Sequence, residues 1–417
     1  MNKKLALILL LSFLIFCDNI SFAQLDIADS LCFNQRYNQL KEHDCMKLPK
    51  GVNRYQNYDS SIVNIISPIE VDSSLINQLL KNKILIINEA HTFPQNRVFN
   101  HYLLNKLLQS DTNYYVFFEA LSNDITKSEL KSIGGNGFYF REPQMAENLR
   151  LVLKLNKKAY SYEVIDDELQ YDMFYSLGLD KAIDELVYET FEDKSNSICK
   201  MNRRDMNQYI NFYFKYSEII EANKNAKFII MCGYGHVSEE KRFGGSNNCW
   251  YTFASILKKN LGIDPTTIDV TTYRDKCNTE VNIYYDQITS KLSNDSTFYY
   301  IKRDNLNKKQ IDKLNLDQTT DYYIISPKTK LTNGRENWLK FDSKKYVKID
   351  KKFFKLLPKK HNVFKAYYNK EDISTTTPAD IVYIDNTTKE SYFILYPGEF
   401  DIYINNSKRK AFTIDVK

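Results

Sequence analysis

One stretch of this sequence decides the fold: Ile84-Leu85-Ile86-Ile87-Asn88-Glu89-Ala90-His91. Its aliphatic run predicts a buried strand, and polar residues follow where that strand ends. A second stretch has the same design, with Phe228-Ile229-Ile230-Met231 placed before Gly233-Tyr234-Gly235-His236. Open α/β sheets carry their functional groups just beyond the carboxyl ends of parallel strands. The chain has only five histidines, so two of them at such ends predict a functional site.

Predicted strands and helices alternate around these two stretches. The strands are expected at Lys83–Asn88, Tyr114–Phe118, Ala159–Ile165, Ala226–Cys232 and Thr266–Val270. The helices are expected at 96–108, from Pro143 onward, and at 174–192, 203–222 and 250–259. This order predicts an α/β fold, in which a mostly parallel sheet is flanked by helices. Near-continuous apolar strands agree with burial on both faces of the sheet.

The character of the chain changes after about residue 280, where short runs rich in tyrosine and isoleucine recur between turn signals. The last three runs, at 392–395, 400–404 and 412–416, predict an antiparallel meander. We therefore expect an α/β domain with an N-terminal arm over residues 24–279 and a smaller β-rich module over 350–417. The connecting segment, 280–349, is compatible with either part.

The first 23 residues have the composition of a signal peptide. Lys3-Lys4 precede an apolar run from Leu5 to Phe16, and Ser21-Phe22-Ala23 form a small-x-small cleavage site. The apolar run is short for a bilayer span, so an uncleaved anchor is the less favoured alternative. The sequence predicts cleavage after Ala23, a secreted or periplasmic protein, and no transmembrane segment in the mature chain.

The composition of the chain narrows the range of partners. Net charge is +5 at pH 7 over 417 residues, and a hydrophobic share of 43% supports a sizeable core. A mild, mixed charge of this kind argues against a nucleic-acid partner. The expected substrate is a small molecule or a peptide. The sequence contains no Gly-x-Ser-x-Gly elbow, no P-loop and no dinucleotide-binding glycine motif after a strand.

Three cysteines, and the histidines outside the two motifs, are expected to take no part in the chemistry of the site. Cys232 lies in a predicted strand and is expected to be a small buried residue, not a nucleophile. Cys32 and Cys45 are close in sequence and form the best candidate for a disulfide in an oxidising compartment. Three histidines outside the two motifs are expected at the surface: His43, His101 and His361.

Carboxylates and imidazoles follow the predicted strands at their carboxyl ends: Glu89 and His91, then Glu119, Asp166 with Asp167, and His236. If these strands are neighbours in one parallel sheet, the groups converge on one crevice. Such groups bind a divalent cation, or they act as acid and base. His91 is alternatively a helix-entry residue, and His236 part of a tight turn. Glu89 is alternatively one half of a salt bridge to Arg97.

Further residues are candidates for substrate binding. Arg97 is placed either to orient a carboxylate of the site or to hold an anionic substrate group. Arg203 and Arg204 open a predicted helix, and because helix starts favour anions, one of them is expected to point into the site. Tyr234, within the second motif, offers an oxygen ligand, and Asp166 is a further expected substrate contact.

Three short motifs in this sequence resemble the TraB/Tiki, ChaN and erythromycin-esterase superfamily: Ile87–Arg97, Phe118-Glu119-Ala120 and Cys232–His236. Members of that superfamily show a Gly-Glu-x-His motif after the first strand, a Glu after the second, and a Gly-x-x-His after a later strand. The resemblance covers about residues 60–275 and extends to the tract from Trp250 to Asp269. Its Glu-x-His spacing is that of the TraB and ChaN groups. The sequence departs from the family at Asn88, where the family has glycine.

The resemblance implies three different activities. Tiki-like members are metal-dependent peptidases, erythromycin esterases open macrolactones by histidine-assisted attack of water, and ChaN-like members bind haem. The resemblance also implies which residues take the roles of the family's site: Glu89, His91, Glu119 and His236.

The sequence therefore predicts an exported hydrolase of an ester or amide bond, peptide bonds included. Glu89 and His91 are expected to activate water, either directly or through a divalent metal ion. His236 is expected to act as acid or as second metal ligand, and Glu119 to orient or to ligate. Two alternatives stay open: a haem- or iron-binding protein of the ChaN type, and a non-catalytic periplasmic interaction protein whose site has decayed.

Overall fold

The computed structural model describes residues 66–417, except 92, 120, 164–196, 241, 244–248, 276–279, 295, 315, 357–360 and 386–389. The predicted signal peptide, the helix expected at 174–192 and the candidate pair Cys32 and Cys45 lie outside these residues. Among the helices that the structure describes, none is both long enough and apolar enough to cross a membrane.

Helices and strands alternate through the α/β part of the described chain. The α-helices span Ser73–Leu79 (α1), Pro94–Ser110 (α2), Pro143–Lys154 (α3), Ser197–Ala222 (α4), Phe253–Leu261 (α5), Glu280–Ser290 (α6) and Lys308–Lys313 (α7). Short 3-10 helices at Lys127–Gly135 and Phe138–Arg141 precede α3. Proline stands in the first turn of α2 and of α3, where a backbone N–H has no helical acceptor to lose.

The strands of this part span Ile69–Glu70 (β1), Ile84–Glu89 (β2), Tyr114–Phe118 (β3), Ala159–Ser161 (β4), Lys227–Gly233 (β5), Arg242–Phe243 (β6), Cys249–Trp250 (β7), Thr266–Tyr273 (β8), Tyr299–Lys302 (β9) and Tyr322–Ile325 (β10). One eight-stranded sheet has the order β1-β9-β10-β8-β2-β5-β3-β4, and β6 pairs with β7 separately. β9 is antiparallel to both its neighbours, and the pairs from β10 to β4 are parallel. The predicted fold class, a mostly parallel sheet flanked by helices, is confirmed.

The central strand β2 is buried on both faces, as its uninterrupted apolar run predicts. Leu85 and Ile87 belong to a core beneath α2 and α3, while Ile84 and Ile86 belong to a core beneath α4 and α5. Successive strand residues point to opposite faces, so a strand covered on both sides has no polar alternation to show. Burying one such side chain contributes roughly 1.5–3 kcal/mol relative to leaving it exposed.

The C-terminal part is built from smaller antiparallel sheets. Its strands span Leu331–Thr332 (β11), Arg335–Glu336 (β12), Lys345–Lys348 (β13), His361–Tyr368 (β14), Asp380–Asp385 (β15), Tyr392–Leu395 (β16), Gly398–Ile404 (β17) and Phe412–Val416 (β18). The largest of these sheets has the order β15-β14-β17-β18. The expected three-strand meander is wrong in one respect, because β16 pairs with β13 and not with β17. The connecting segment contains β9 and β10, which extend the main sheet.

The C-terminal part is anchored on α3 by buried polar contacts. Arg150 donates to both carboxylate oxygens of Glu371, at 2.9 and 2.8 Å. The Tyr368 hydroxyl donates to Glu147 at 2.9 Å, and Lys344 Nζ donates to Gln144 at 2.6 Å. These contacts fix the C-terminal part against the helix that follows the 3-10 segment beside the candidate site.

Candidate active site

Five neighbouring parallel strands deliver site residues to one edge of the main sheet. Glu89 and Gly233 are the last residues of β2 and β5. Glu119 directly follows β3, Glu163 lies two residues beyond β4, and Arg274 directly follows β8. Since these strands are adjacent in the order β8-β2-β5-β3-β4, their carboxyl ends meet at a single crevice.

Glu89 holds His91 and is itself held by an arginine. Glu89 Oε1 lies 2.6 Å from His91 Nδ1, and Arg97 Nε donates to Glu89 Oε2 at 2.6 Å. Burial alone would raise the pKa of Glu89, but the Arg97 guanidinium and the His91 ring outweigh it and keep that pKa below its usual value. Glu89 is therefore a carboxylate hydrogen-bonded to His91 Nδ1, which leaves Nε2 as the ring nitrogen outside this pair.

The His91 ring is open to the crevice. Its side chain is 36% exposed, and it stacks on the Tyr139 ring with centroids 4.2 Å apart. Among the described residues, no hydrogen-bond partner is found for Nε2. The Nε2 atom of His91 is thus accessible to a substrate or a water molecule.

Glu119 is the anionic centre of the site. Its Oε1 accepts from Arg204 at 2.5 Å and lies 3.5 Å from His236 Nε2, while its Oε2 accepts the backbone N–H of Gly233. Burial opposes ionisation, but His236, Arg204 and this amide lower the pKa of Glu119 far below its usual range. Arg204 also donates to Glu163 at 2.6 Å, which fixes the guanidinium between two carboxylates.

His236 carries a proton between two carboxylates. Its Nδ1 is hydrogen-bonded to Asp205, which also accepts the backbone N–H of Phe253 at 3.0 Å, at the start of α5. Burial disfavours the charged imidazole, but Asp205 and Glu119 outweigh it and raise the pKa of His236 well above 6.5. His236 is therefore held in its charged, imidazolium form.

Gly233 is the point at which the two halves of the site meet. A Cβ atom built on this glycine would lie 3.0 Å from His91 Nε2 and 3.2 Å from Glu119 Oε2. Contacts of that length are tighter than ordinary van der Waals packing. The absence of a side chain at Gly233 is thus needed so that the His91 ring and the Glu119 carboxylate can both lie against this part of the backbone.

Asn88, which stands where the resembled superfamily has glycine, links β2 to the second motif and to β8. Its side-chain amide donates to the Tyr234 carbonyl and to Asp269, each at 3.1 Å. Its side-chain oxygen accepts the backbone N–H of Val270 at 2.8 Å. Asn88 is fully buried and therefore fixes the second motif and β8 to β2.

Some of the site residues predicted from the sequence lie together in the structure, and others lie outside the described residues. The four implied by the resemblance are brought together: Glu89, His91, Glu119 and His236. The contacts of Arg97 match the orienting alternative, because its nitrogens are used by Glu89, Glu142 and the His91 carbonyl. Tyr234 is half exposed, and its hydroxyl bonds Arg274 at 2.8 Å. Asp166 and the Arg203 side chain lie outside the described residues.

One expectation about the other histidines is wrong. His101 is 6% exposed, and its Nδ1 lies 2.7 Å from the Tyr396 hydroxyl and 3.5 Å from Asp342. It is buried because the C-terminal part covers this side of α2. The His43 residue and the His361 side chain lie outside the described part of the chain. Cys232 is buried, and burial raises the pKa of its thiol well above the usual value, in line with a structural residue.

Sequence reasoning missed Asp205, Glu163, Tyr139 and Arg274. The predicted strand Ala159–Ile165 ends at Ser161, so Glu163 is the carboxylate at that end of the sheet. Asp205 directly follows the two arginines already singled out, and that adjacency was the available signal. The position of Tyr139 in a short 3-10 helix carries no comparable signal.

The predicted divalent metal site does not fit the side chains as they are placed. In the described ranges, no group of three His, Cys, Asp or Glu residues is arranged to hold a metal ion. The reason lies in the donor set: both oxygens of Glu89 and of Glu119 are engaged by protein donors, and both nitrogens of His236 face carboxylates. Among these four described side chains, only the His91 Nε2 atom keeps an open ligand position, and one ligand does not make a site.

A cavity of about 780 Å³ lies beside the crevice, between the 3-10 segment and the C-terminal part. Pro94, Arg97 and Tyr139 line it from the side of the site, and Trp338 and Tyr367 line it from the other side. Tyr139 also stacks on His91, so its ring adjoins both the cavity and His91. The volume is in the range of small-molecule binding sites.

The sequence matches no protein-family model. No curated protein matches it either.

Solved structures resemble this chain only at low identity. A protein from Bacillus cereus is 12% identical with a TM-score of 0.40, over 65% of this chain and 98% of that one. ChaN of Campylobacter jejuni, described as binding haem cofacially, is 10% identical with a TM-score of 0.33, over 61% and 91%. A succinoglycan biosynthesis protein is 12% identical with a TM-score of 0.38, over 66% and 98%. Similarities of this size carry no inference about activity, and membership of the TraB, Tiki or erythromycin-esterase groups stays a prediction.

Proposed function

We propose that this protein is an exported hydrolase of an ester or amide bond, with His91 as the base and His236 as the acid. The observation that carries the proposal is the contrast between the two imidazoles. Glu89 occupies the Nδ1 atom of His91 and leaves its Nε2 atom open to the crevice, whereas both ring nitrogens of His236 face carboxylates, Asp205 and Glu119, that favour its protonated form. An open ring nitrogen and a protonated ring beside one crevice are what general acid–base catalysis needs.

The reaction follows from these roles. A water molecule gives a proton to His91 Nε2 while its oxygen forms a bond to the carbonyl carbon of the substrate. His236 then gives its Nε2 proton to the leaving oxygen or nitrogen as the bond from that atom to the carbonyl carbon breaks. The proton held by His91 returns to His236 through solvent, so that one water is consumed for each bond cleaved. No step requires a metal ion.

The neighbouring cavity suits the substrate of such a reaction. Its aromatic and polar lining adjoins His91 through Tyr139, so a bound molecule can present its carbonyl group to the base. A small molecule or a short peptide is the substrate that the cavity volume favours.

The test is turnover of a panel of p-nitrophenyl esters and a fluorogenic peptide by the purified mature protein. We expect measurable hydrolysis of at least one class, and a loss of about 10²- to 10⁴-fold in kcat/KM for H91Q and for H236Q. H361Q, in β14, is the matched control and should keep full activity. Equal rates in wild type, H91Q and H236Q would refute the assignment. Absence of turnover together with a Soret band on haem titration would replace it by the haem-binding alternative.

A further inference from the structure

Arg274 lies between the two turns that carry the histidines. It directly follows β8, next to β2 in the sheet. Its guanidinium carbon is 4.0 Å from the centroid of the Phe93 ring and 4.9 Å from that of the Tyr234 ring. Phe93 follows His91 by two residues, and Tyr234 precedes His236 by two. The guanidinium is therefore held by one aromatic residue from each motif.

This guanidinium is buried with most of its hydrogen-bonding capacity unused. Arg274 is 3% exposed, and its Nη2 donates to the Tyr234 hydroxyl at 2.8 Å. Nε and Nη1 are buried, and neither has an acceptor among the residues that the structure describes. Nε carries one N–H group and Nη1 carries two, so most donors of this side chain are unsatisfied. Burial also lowers the pKa of Arg274.

The other fully buried arginines show how unusual this is. Arg97 is paired with Glu89 and Glu142, and Arg150 with Glu147 and Glu371. For Arg274 no ion pair with a carboxylate is found within the described residues. Asp269 and Glu89 act on this guanidinium only through space. A buried cation with no directly paired carboxylate is costly, and such a cost persists in folded proteins where the group has a ligand to meet.

We propose that Arg274 binds an anionic group of the substrate, a carboxylate or a phosphate, beside the crevice of His91 and His236. The guanidinium supplies several N–H donors in one plane, which suits the oxygens of either anion. Tyr234 is 49% exposed and its ring centroid lies 4.9 Å from the guanidinium carbon, so we expect the anion to approach from the side of this ring. This inference rests on the proposed function and deepens it, because it states the charge of the substrate.

The binding test needs no turnover. The unfolding midpoint of the full chain is measured during titration with inorganic phosphate and, separately, with succinate, at constant ionic strength set by sodium chloride. We expect a saturable rise in wild type with at least one anion, since a ligand that binds only the folded state stabilises it. The larger rise identifies phosphate or carboxylate as the group recognised. R274M should abolish the rise, and R409Q, which removes an exposed arginine, should keep it.

The same variants separate a binding role from a structural one. Without added anion, R274M should unfold at the wild-type midpoint or above it, because Met keeps the contacts with both rings and leaves no unpaired donors. A lower midpoint for R274M, an unchanged anion response in R274M, or no saturable response in wild type would each overturn the proposal.

A kinetic comparison links the anion to the reaction. Mono-p-nitrophenyl succinate carries a carboxylate, and p-nitrophenyl acetate does not. R274M should raise KM for the anionic ester roughly 10- to 100-fold, as expected for loss of a charged hydrogen bond, and change KM for the neutral ester much less. If neither these esters nor the fluorogenic peptide is hydrolysed, the hydrolase proposal fails while the anion titrations still decide the role of Arg274.

Discussion

Glu119 and His236 form an ion pair at the centre of the crevice, with Oε1 of the carboxylate 3.5 Å from Nε2 of the imidazole. Each group shifts the proton affinity of the other in the direction that keeps both charged. Their mutual dependence makes the charge state of the site sensitive to pH.

The pH dependence of stability should report on His236. Because its pKa in the folded protein is raised above 6.5, it contributes stability that is fully present below the unfolded pKa. That contribution is lost as the pH rises through the folded value. We expect the free energy of unfolding, measured with urea between about pH 6 and pH 10, to fall with rising pH in wild type and less so in H236Q. H361Q should follow wild type, and an identical slope in H236Q would contradict the prediction.

The Gly233→Ala substitution should impair catalysis through geometry alone. The new Cβ would lie 3.0 Å from His91 Nε2, so the ring must shift away from the Glu119 carboxylate. Small displacements of a catalytic group cost about 10²-fold in rate, and we expect a loss of that order in kcat for G233A. The unfolding midpoint and the circular dichroism spectrum of G233A serve as controls that the variant is folded. Full activity in a folded G233A would show that the position is not constrained.

Imidazole in the buffer should rescue the H91A variant. The lost ring leaves a slot bounded by the Tyr139 face and the Glu89 carboxylate, both held by their own neighbours. We expect activity of H91A to rise with imidazole concentration and to saturate, while H236A, whose buried ring is only 10% exposed, gains much less. A structural role for His91 predicts no such dependence.

Chelation should leave the activity unchanged. Since the oxygens of Glu89 and Glu119 are already engaged by protein donors, we expect the same turnover before and after dialysis against EDTA. Loss of turnover that a divalent cation restores would show that these side chains rearrange around a metal.

Breaking the Arg150–Glu371 pair should weaken the anchoring of the C-terminal part. Arg150 is fully buried, so removing its charge leaves the Glu371 carboxylate without its partner. We expect R150M to lower the free energy of unfolding by roughly 3–5 kcal/mol in urea titrations. K348M, which removes an exposed pair with Glu390, should leave the unfolding midpoint unchanged. Equal free energies of unfolding for R150M and K348M would show that the Arg150–Glu371 pair does not anchor the C-terminal part.

The part of the site that lies on strands could be predicted from the sequence. The apolar run of β2 marks where Glu89 and His91 emerge, and β5 does the same for Gly233 and His236. A strand end is a local property, and a parallel sheet brings such ends together whatever their separation along the chain.

The part of the site that comes from helices could not be predicted. Arg204 and Asp205 lie on α4, and which side of a helix meets the crevice depends on how the whole helix packs against the sheet. The burial of His101 has a similar cause, because it results from Tyr396 and Asp342 of a distant segment. Hydrophobic periodicity reports on one helix or strand at a time, and it does not show which distant segment packs over that element.

The parallel pairing of β2 with β5 has a consequence for the order in which this protein folds. Asn88 and Tyr234, which touch across that pairing, are 146 positions apart along the chain. Contacts between such distant residues form late, because loop closure costs entropy before any contact is gained. During refolding from urea, enzymatic rate should therefore recover after the far-ultraviolet helix signal, and a nascent chain interrupted before β5 should contain strands and helices but no working crevice.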